Sequence, residues 1–136
     1  MKHILLLLIA ACVLFSCGSG SSTNTQAATV IKQSTDVTEV LYFHGKKRCI
    51  TCNAIEHLTK EVVDSLNNHK IILKIIDISQ PENEAIANQY EVTWSSLILS
   101  RNGTTENLTD MGFSYAKNKP AEFKEKLVEA IEKIAE

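Results

Sequence analysis

The amino-acid sequence predicts an α/β sandwich around a four-stranded mixed sheet, in the order β-α-β-α-β-β-α. Three observations predict it. Two runs rich in Val, Ile and Leu flank an amphipathic helical stripe. An Asn-Gly pair separates two short strand-like segments, and the last segment repeats apolar residues at helical spacing. Strands alternating with helices favour parallel pairing, and the tight turn adds one antiparallel strand.

Each element has its own justification. Val37 to His44 is an apolar, β-branched and aromatic run ending at Gly45, which reads as a buried strand. From Cys49 to Leu66, the apolar residues Ile55, Leu58, Val62 and Leu66 share one helical face, with Val63 beside them. Asn67-Asn68-His69 closes that helix. Ile71 to Ile78 is dense in Ile and Leu and reads as a second buried strand. The βαβ unit so formed implies a right-handed crossover. Ser79 is the expected N-cap of a short helix through Tyr90, with Pro81 and Glu82 suited to its first turn. Leu97 to Ser100 forms the third strand. Asn102-Gly103 tolerates the positive φ angles of a tight turn, and Thr104 to Leu108 returns as the fourth strand. A last helix begins at 118–120 and carries Phe123, Leu127, Ile131 and Ile134 on one face.

Composition bounds the function. The chain has 136 residues, 44% of them hydrophobic and 22% charged, which suits one globular domain and excludes a disordered or fibrous chain. The net charge of −2 leaves no basic footprint for nucleic acid.

The N-terminus reads as an address. Lys2 and His3 precede the uncharged apolar run Ile4 to Phe15, too short to span a bilayer as a mature helix. Leu14-Phe15-Ser16-Cys17 resembles the lipobox of bacterial lipoproteins. That resemblance implies a signal peptide over 1–16, removed before Cys17, whose thiol then carries the lipid. A plain cleavable signal with an incidental cysteine is the alternative. Gly18 to Thr29 is uncharged and rich in Ser, Gly and Thr, as a flexible tether over 17–36 would be. The domain is then expected over 37–136. No Asp follows Cys17, and no acidic run follows either. The expected location is therefore the periplasmic face of a bacterial outer membrane, held by the lipid anchor. Loss of Cys12 with the leader and lipidation of Cys17 leave two thiols in the domain, Cys49 and Cys52.

Cys49-Ile50-Thr51-Cys52 lies where the first strand hands over to the first helix. A two-residue spacer on a helical first turn brings two sulfurs within disulfide reach. Free N–H groups and the positive end of the helix favour a thiolate there. Lys46, Lys47 and Arg48 stand immediately before Cys49 and are expected to stabilise the thiolate further. The thiolate is the species that attacks a disulfide. Two other readings stay open: a structural disulfide, whose tiny loop yields little entropic benefit, and a metal site. Two thiolates supply half of a tetrahedral zinc shell, and His44 and His57 could complete it.

A CxxC pair opening the first helix of a βαβαββα domain resembles the thioredoxin superfamily, over Val37 to Glu136. The resemblance implies a redox-active Cys49–Cys52 disulfide, with Cys49 attacking the target and Cys52 resolving the mixed disulfide. It implies partners that are protein thiols or disulfides, or a dedicated membrane or periplasmic redox partner; a monomer without a cofactor is expected. The strings Tyr42-Phe43-His44-Gly45-Lys46-Lys47-Arg48-Cys49-Ile50-Thr51-Cys52-Asn53 and Tyr90-Glu91-Val92-Thr93-Trp94-Ser95-Ser96 are narrower. They resemble exported thioredoxin-like proteins of Bacteroides-type bacteria, described as subunits of a nitrophenyl-compound nitroreductase. That implies electron delivery to a reductase.

Two departures from thioredoxin are visible. Ser95 or Ser96 stands where the family has a cis-proline facing the disulfide, and a trans bond is expected there. Absence of that proline also removes a family barrier to metal binding. The buried carboxylate that handles protons for the second cysteine is missing from Tyr42-Phe43-His44, leaving His44 as a candidate or as a solvent-facing strand end. Trp94, the sole tryptophan, is expected in the active-site loop, as a docking surface or as packing. Asp77 reads as a strand-end residue.

Overall fold

The structure, a computed structural model, describes residues 36–136. The expected signal peptide, Cys17 and nearly all of the tether lie outside the described residues.

Four strands form one sheet in the order β2-β1-β3-β4. Strand β1 (Thr38–His44) is central, flanked by β2 (Ile71–Asp77) in parallel and β3 (Ser96–Arg101) antiparallel. Strand β4 (Thr104–Asn107) returns antiparallel to β3. The turn between them holds Asn102 at φ 51° and Gly103 at φ 84°, as the Asn-Gly pair predicts. The βαβ expectation holds, with α1 (Ile50–Leu66) as the crossover.

Alternation on β1 and β3 divides the core into two layers. Val40, Tyr42, Leu97 and Leu99 face α1 and α4 (Pro120–Ala135), where Ile55, Leu58, Val62, Phe123, Leu127 and Ile131 complete the larger cluster. Leu41, Phe43 and Ile98 face the other side, against Ile76, Val92, Ile86 and Tyr90. Each fully buried side chain of this size contributes roughly 1.5–3 kcal/mol. The face predicted for the last helix is the buried one, with Ile134 at its half-buried edge.

Helix α1 ends at Asn67, whose left-handed backbone (φ 42°) turns its N–H back to the Asp64 carbonyl. Helix α4 starts with Pro120 in its first turn, where the missing N–H costs nothing.

Three expectations need correction. The second strand is not a buried strand but an edge. It pairs only with β1, so Ile71, Leu73 and Ile75 are half-buried while Ile72 is 43% exposed and Lys74 ion-pairs Glu39 in solvent. Ser79 does not cap the helix that follows. Its N–H and hydroxyl both donate to Asp77 Oδ1, and the chain enters a 3₁₀ turn at Pro81–Asn83 before α2 (Glu84–Gln89). A further helix, α3 (Thr109–Tyr115), lies between β4 and α4. Gly112 lets α3 approach α1, since a Cβ there would lie 3.2 Å from Ile55 Cδ1.

Candidate active site

The site forms at the end of β1 that carries His44. The chain leaves the sheet at Gly45, crosses Lys46 to Arg48, and enters α1 at Cys49. Cys49 is the N-cap, in extended backbone (φ −85°, ψ 164°). Its Sγ accepts the backbone N–H of Cys52 at 3.0 Å. The sulfur therefore takes the place that a Ser or Asp oxygen usually fills at a helix start. No acidic side chain lies in the first turn, so nothing there offsets the positive end of the helix.

Cys49 and Cys52 form a disulfide with Cα atoms 5.0 Å apart. The pair is asymmetric. Cys49 is exposed, whereas Cys52 is 6% exposed beneath it. A partner can reach Cys49 directly, and Cys52 only through Cys49.

Tyr42 supports the pair from below. Its ring is wholly buried on β1, and its hydroxyl donates to the Cys52 carbonyl at 2.8 Å. Burial pushes the phenol above its ordinary value, while the nearby Arg48 guanidinium and Ser95 hydroxyl pull the other way. Sequence reasoning placed Tyr42 only in the core. The available signal was a hydroxyl inside an otherwise apolar strand, which needs a partner when buried.

The predicted cations separate into two groups. Lys46 and Lys47 are exposed, and no carboxylate pairs with either among the described residues. Arg48 instead forms an ion pair with Glu56 on α1 and lies 6.0 Å from the Tyr42 ring centre. His44 is half-buried, with Nδ1 3.1 Å from the Gly45 carbonyl. Its ring lies 6.2 Å from that of Tyr42. Asp77 stands opposite His44 in the parallel register. Hydrogen bonds from Ser79 hold its carboxyl below the ordinary range, with smaller help from Gln80 and His44, which fits a strand-end role.

The loop before β3 closes the site. Glu91 ends α2 in left-handed backbone (φ 54°), and Val92 is buried behind it. Ser95 reaches Tyr42, and the Ser96 hydroxyl donates to the Trp94 carbonyl at 3.1 Å. No cis peptide bond occurs among the described residues. Trp94 is 56% exposed, and its ring centre lies 5.4 Å from that of Phe113 on α3. Ile50, between the cysteines, is 74% exposed.

Among the described residues, no three His, Cys, Asp or Glu side chains come together as ligands. His57 lies on the exposed face of α1, 3.3 Å from Glu61. Among the described residues, no helix is long and apolar enough to cross a membrane.

No protein-family model and no curated protein sequence matches the chain. Solved structures do. Trxlp from Edwardsiella tarda EIB202 is similar at 18% identity, over 76% of this chain and 93% of that one, with a TM-score of 0.53. Human ERp44 form II is similar at 12% identity, over 87% of this chain but 33% of that one, with a TM-score of 0.52. Strand order, crossover and these likenesses agree: the chain has the thioredoxin fold, with Cys49 and Cys52 at its β1–α1 junction.

Proposed function

We propose that this protein is a thiol–disulfide oxidoreductase, tethered by lipid on Cys17 to the periplasmic face of the outer membrane. The observation that carries the reading is the N-cap geometry: an exposed Cys49 sulfur that accepts the Cys52 N–H at 3.0 Å at the positive end of α1. A thiolate there gains a charge-assisted hydrogen bond and the helix field at once.

The cycle balances without a cofactor. The Cys49 thiolate attacks one sulfur of a partner disulfide, forming a mixed disulfide and releasing the partner's other sulfur as a thiolate. Cys52 then loses its proton to solvent or a nearby base, and its thiolate attacks Cys49 Sγ. The Cys49–Cys52 disulfide forms, and the partner leaves as a dithiol. Two electrons pass to the partner, and the reverse sequence oxidises it. Burial of Cys52 keeps it for this second step.

Ile50 offers an exposed apolar side chain next to Cys49, and Lys46 and Lys47 offer positive charge just before it. A protein segment that is apolar near its cysteine and acidic beyond it suits that surface. A second reading is a dedicated electron-transfer subunit of a nitroreductase-type system. The observation behind it is that Tyr42 of the narrower motif bonds the Cys52 carbonyl, with Arg48 and Ser95 of the same motif beside Tyr42.

The deciding experiment equilibrates the mature protein, with Cys17→Ser, against glutathione or dithiothreitol buffers. A potential near about −270 mV marks a reductant, and one near about −120 mV an oxidant of other proteins. Failure to form the disulfide at any poise would overturn the reading. Activity on generic disulfides separates the general oxidoreductase from the dedicated subunit.

A further inference from the structure

We infer that Glu56 is a positioning residue that pairs with Arg48, weakens the field of that cation at Cys49, and thereby sets the redox poise of the Cys49–Cys52 pair. The inference rests on the thiol–disulfide reading of this site. Its starting point is a mismatch between sequence and structure. Three consecutive cations precede Cys49, and Arg48 is its immediate neighbour. Yet the Arg48 guanidinium is turned onto α1, where it meets Glu56 Oε2. Lys60 takes the other oxygen, Oε1, at 2.5 Å, so both carboxylate oxygens are engaged and the carboxylate is fixed from two sides.

The Arg48 and Glu56 side chains are 28% and 16% exposed. Water screens such a pair less than it screens a fully exposed one. On its other side the guanidinium lies 6.0 Å from the Tyr42 ring centre. Carboxylate and ring together fix Arg48 toward the helix and the sheet.

A cation beside a thiolate favours it over both the thiol and the disulfide, and so eases reduction. A cation held on a carboxylate exerts a weaker field on a third group. Glu56 therefore keeps the pair harder to reduce than the run Lys46-Lys47-Arg48 suggests. It touches neither cysteine nor substrate and acts only through Arg48.

The test measures the glutathione equilibrium and the pH profile of Cys49 alkylation in four variants of the full mature chain: Glu56→Gln, Glu56→Asp, Arg48→Met, and Arg48→Met with Glu56→Gln. Glu56→Gln should lower the Cys49 pKa by about half a unit, which is about threefold in thiolate equilibrium, and ease reduction by a similar factor. Glu56→Asp keeps the charge but shortens the reach. It should shift in the same direction, which a purely electrostatic role for Glu56 would not produce. Arg48→Met should raise the pKa, and in that background Glu56→Gln should shift it less than in the wild type.

Equal shifts in both backgrounds would mean that Glu56 acts by its own charge alone, which overturns the inference. No shift, or a shift upward in Glu56→Gln, overturns it as well. A wild-type protein that forms no reversible disulfide sinks the oxidoreductase reading itself. A reversible wild type with an unmoved Glu56→Gln sinks only the role of Glu56.

Discussion

The Tyr42 hydroxyl donates to the Cys52 carbonyl across 2.8 Å, from a side chain with no solvent exposure. It is the one polar link, among those described, that runs from the central strand to the first turn of α1 below the disulfide. Tyr42→Phe should destabilise the protein by about 1 kcal/mol, read from denaturant melts at neutral pH. The phenol's raised pKa adds a pH signature. A group held protonated in the folded state contributes stability below its unfolded value of 10.0, and that contribution is lost as pH rises through the folded value. Wild type should therefore lose stability above pH 10.0 faster than Tyr42→Phe, and parallel curves would contradict a buried, hydrogen-bonded phenol.

Lys46 and Lys47 remain free to act on Cys49. Replacing both with Gln should raise the Cys49 thiolate pKa, because two nearby positive charges no longer favour the anion. The readout is the pH dependence of iodoacetamide alkylation, with an expected rise of a few tenths of a unit. The shift should shrink at high salt, since both side chains are exposed. An unmoved profile would mark the two lysines as solvated bystanders.

Trp94 is expected to matter to partners more than to the fold. Trp94→Ala removes an exposed ring and its contact with Phe113, so stability should fall by about 1 kcal/mol or less. Exchange with glutathione should stay near wild type, whereas exchange with a folded protein disulfide should slow several-fold. Equal effects on both would show that Trp94 serves the site's structure and not its docking surface.

Asp36 tests the opposite end of the sheet. Its carboxylate takes Lys70, and also Arg101, which reaches Thr38 as well. The hydrogen bond from Lys70, then the Arg101 charge, hold its carboxyl below the ordinary value of 3.8. A carboxylate with a lowered folded value contributes stability above its unfolded value and loses it as pH falls through the folded one. The stability difference between wild type and Asp36→Asn should thus be present at neutral pH and vanish in acid below 3.8. Cys49 reactivity should not change, and a change would tie this cluster to the site.

Much of this was legible in the sequence because local rules decided it. The cysteine spacing put the two sulfurs within disulfide reach at the start of α1, and Asn102-Gly103 set the hairpin through backbone conformation alone. What escaped depends on long-range contact. Helix α3 has only seven residues, an interior glycine and an apolar N-cap residue, Leu108, so tertiary packing on α1 helps to hold it. An apolar run could not reveal that β2 has a neighbour on only one side. Arg48 was read by its neighbour in sequence, but its partner Glu56 lies eight residues on, brought close by the turn into α1.

The Cys49 sulfur is at once nucleophile and helix cap, and this joins two quantities that are usually measured apart. Reduction and unfolding form a closed thermodynamic square. Whatever the fold does to favour the Cys49 thiolate over the disulfide must reappear, with equal size, as a difference in unfolding free energy between reduced and oxidised protein. Melting the two forms side by side thus reports the fold's contribution to the potential, with no redox buffer in the cuvette.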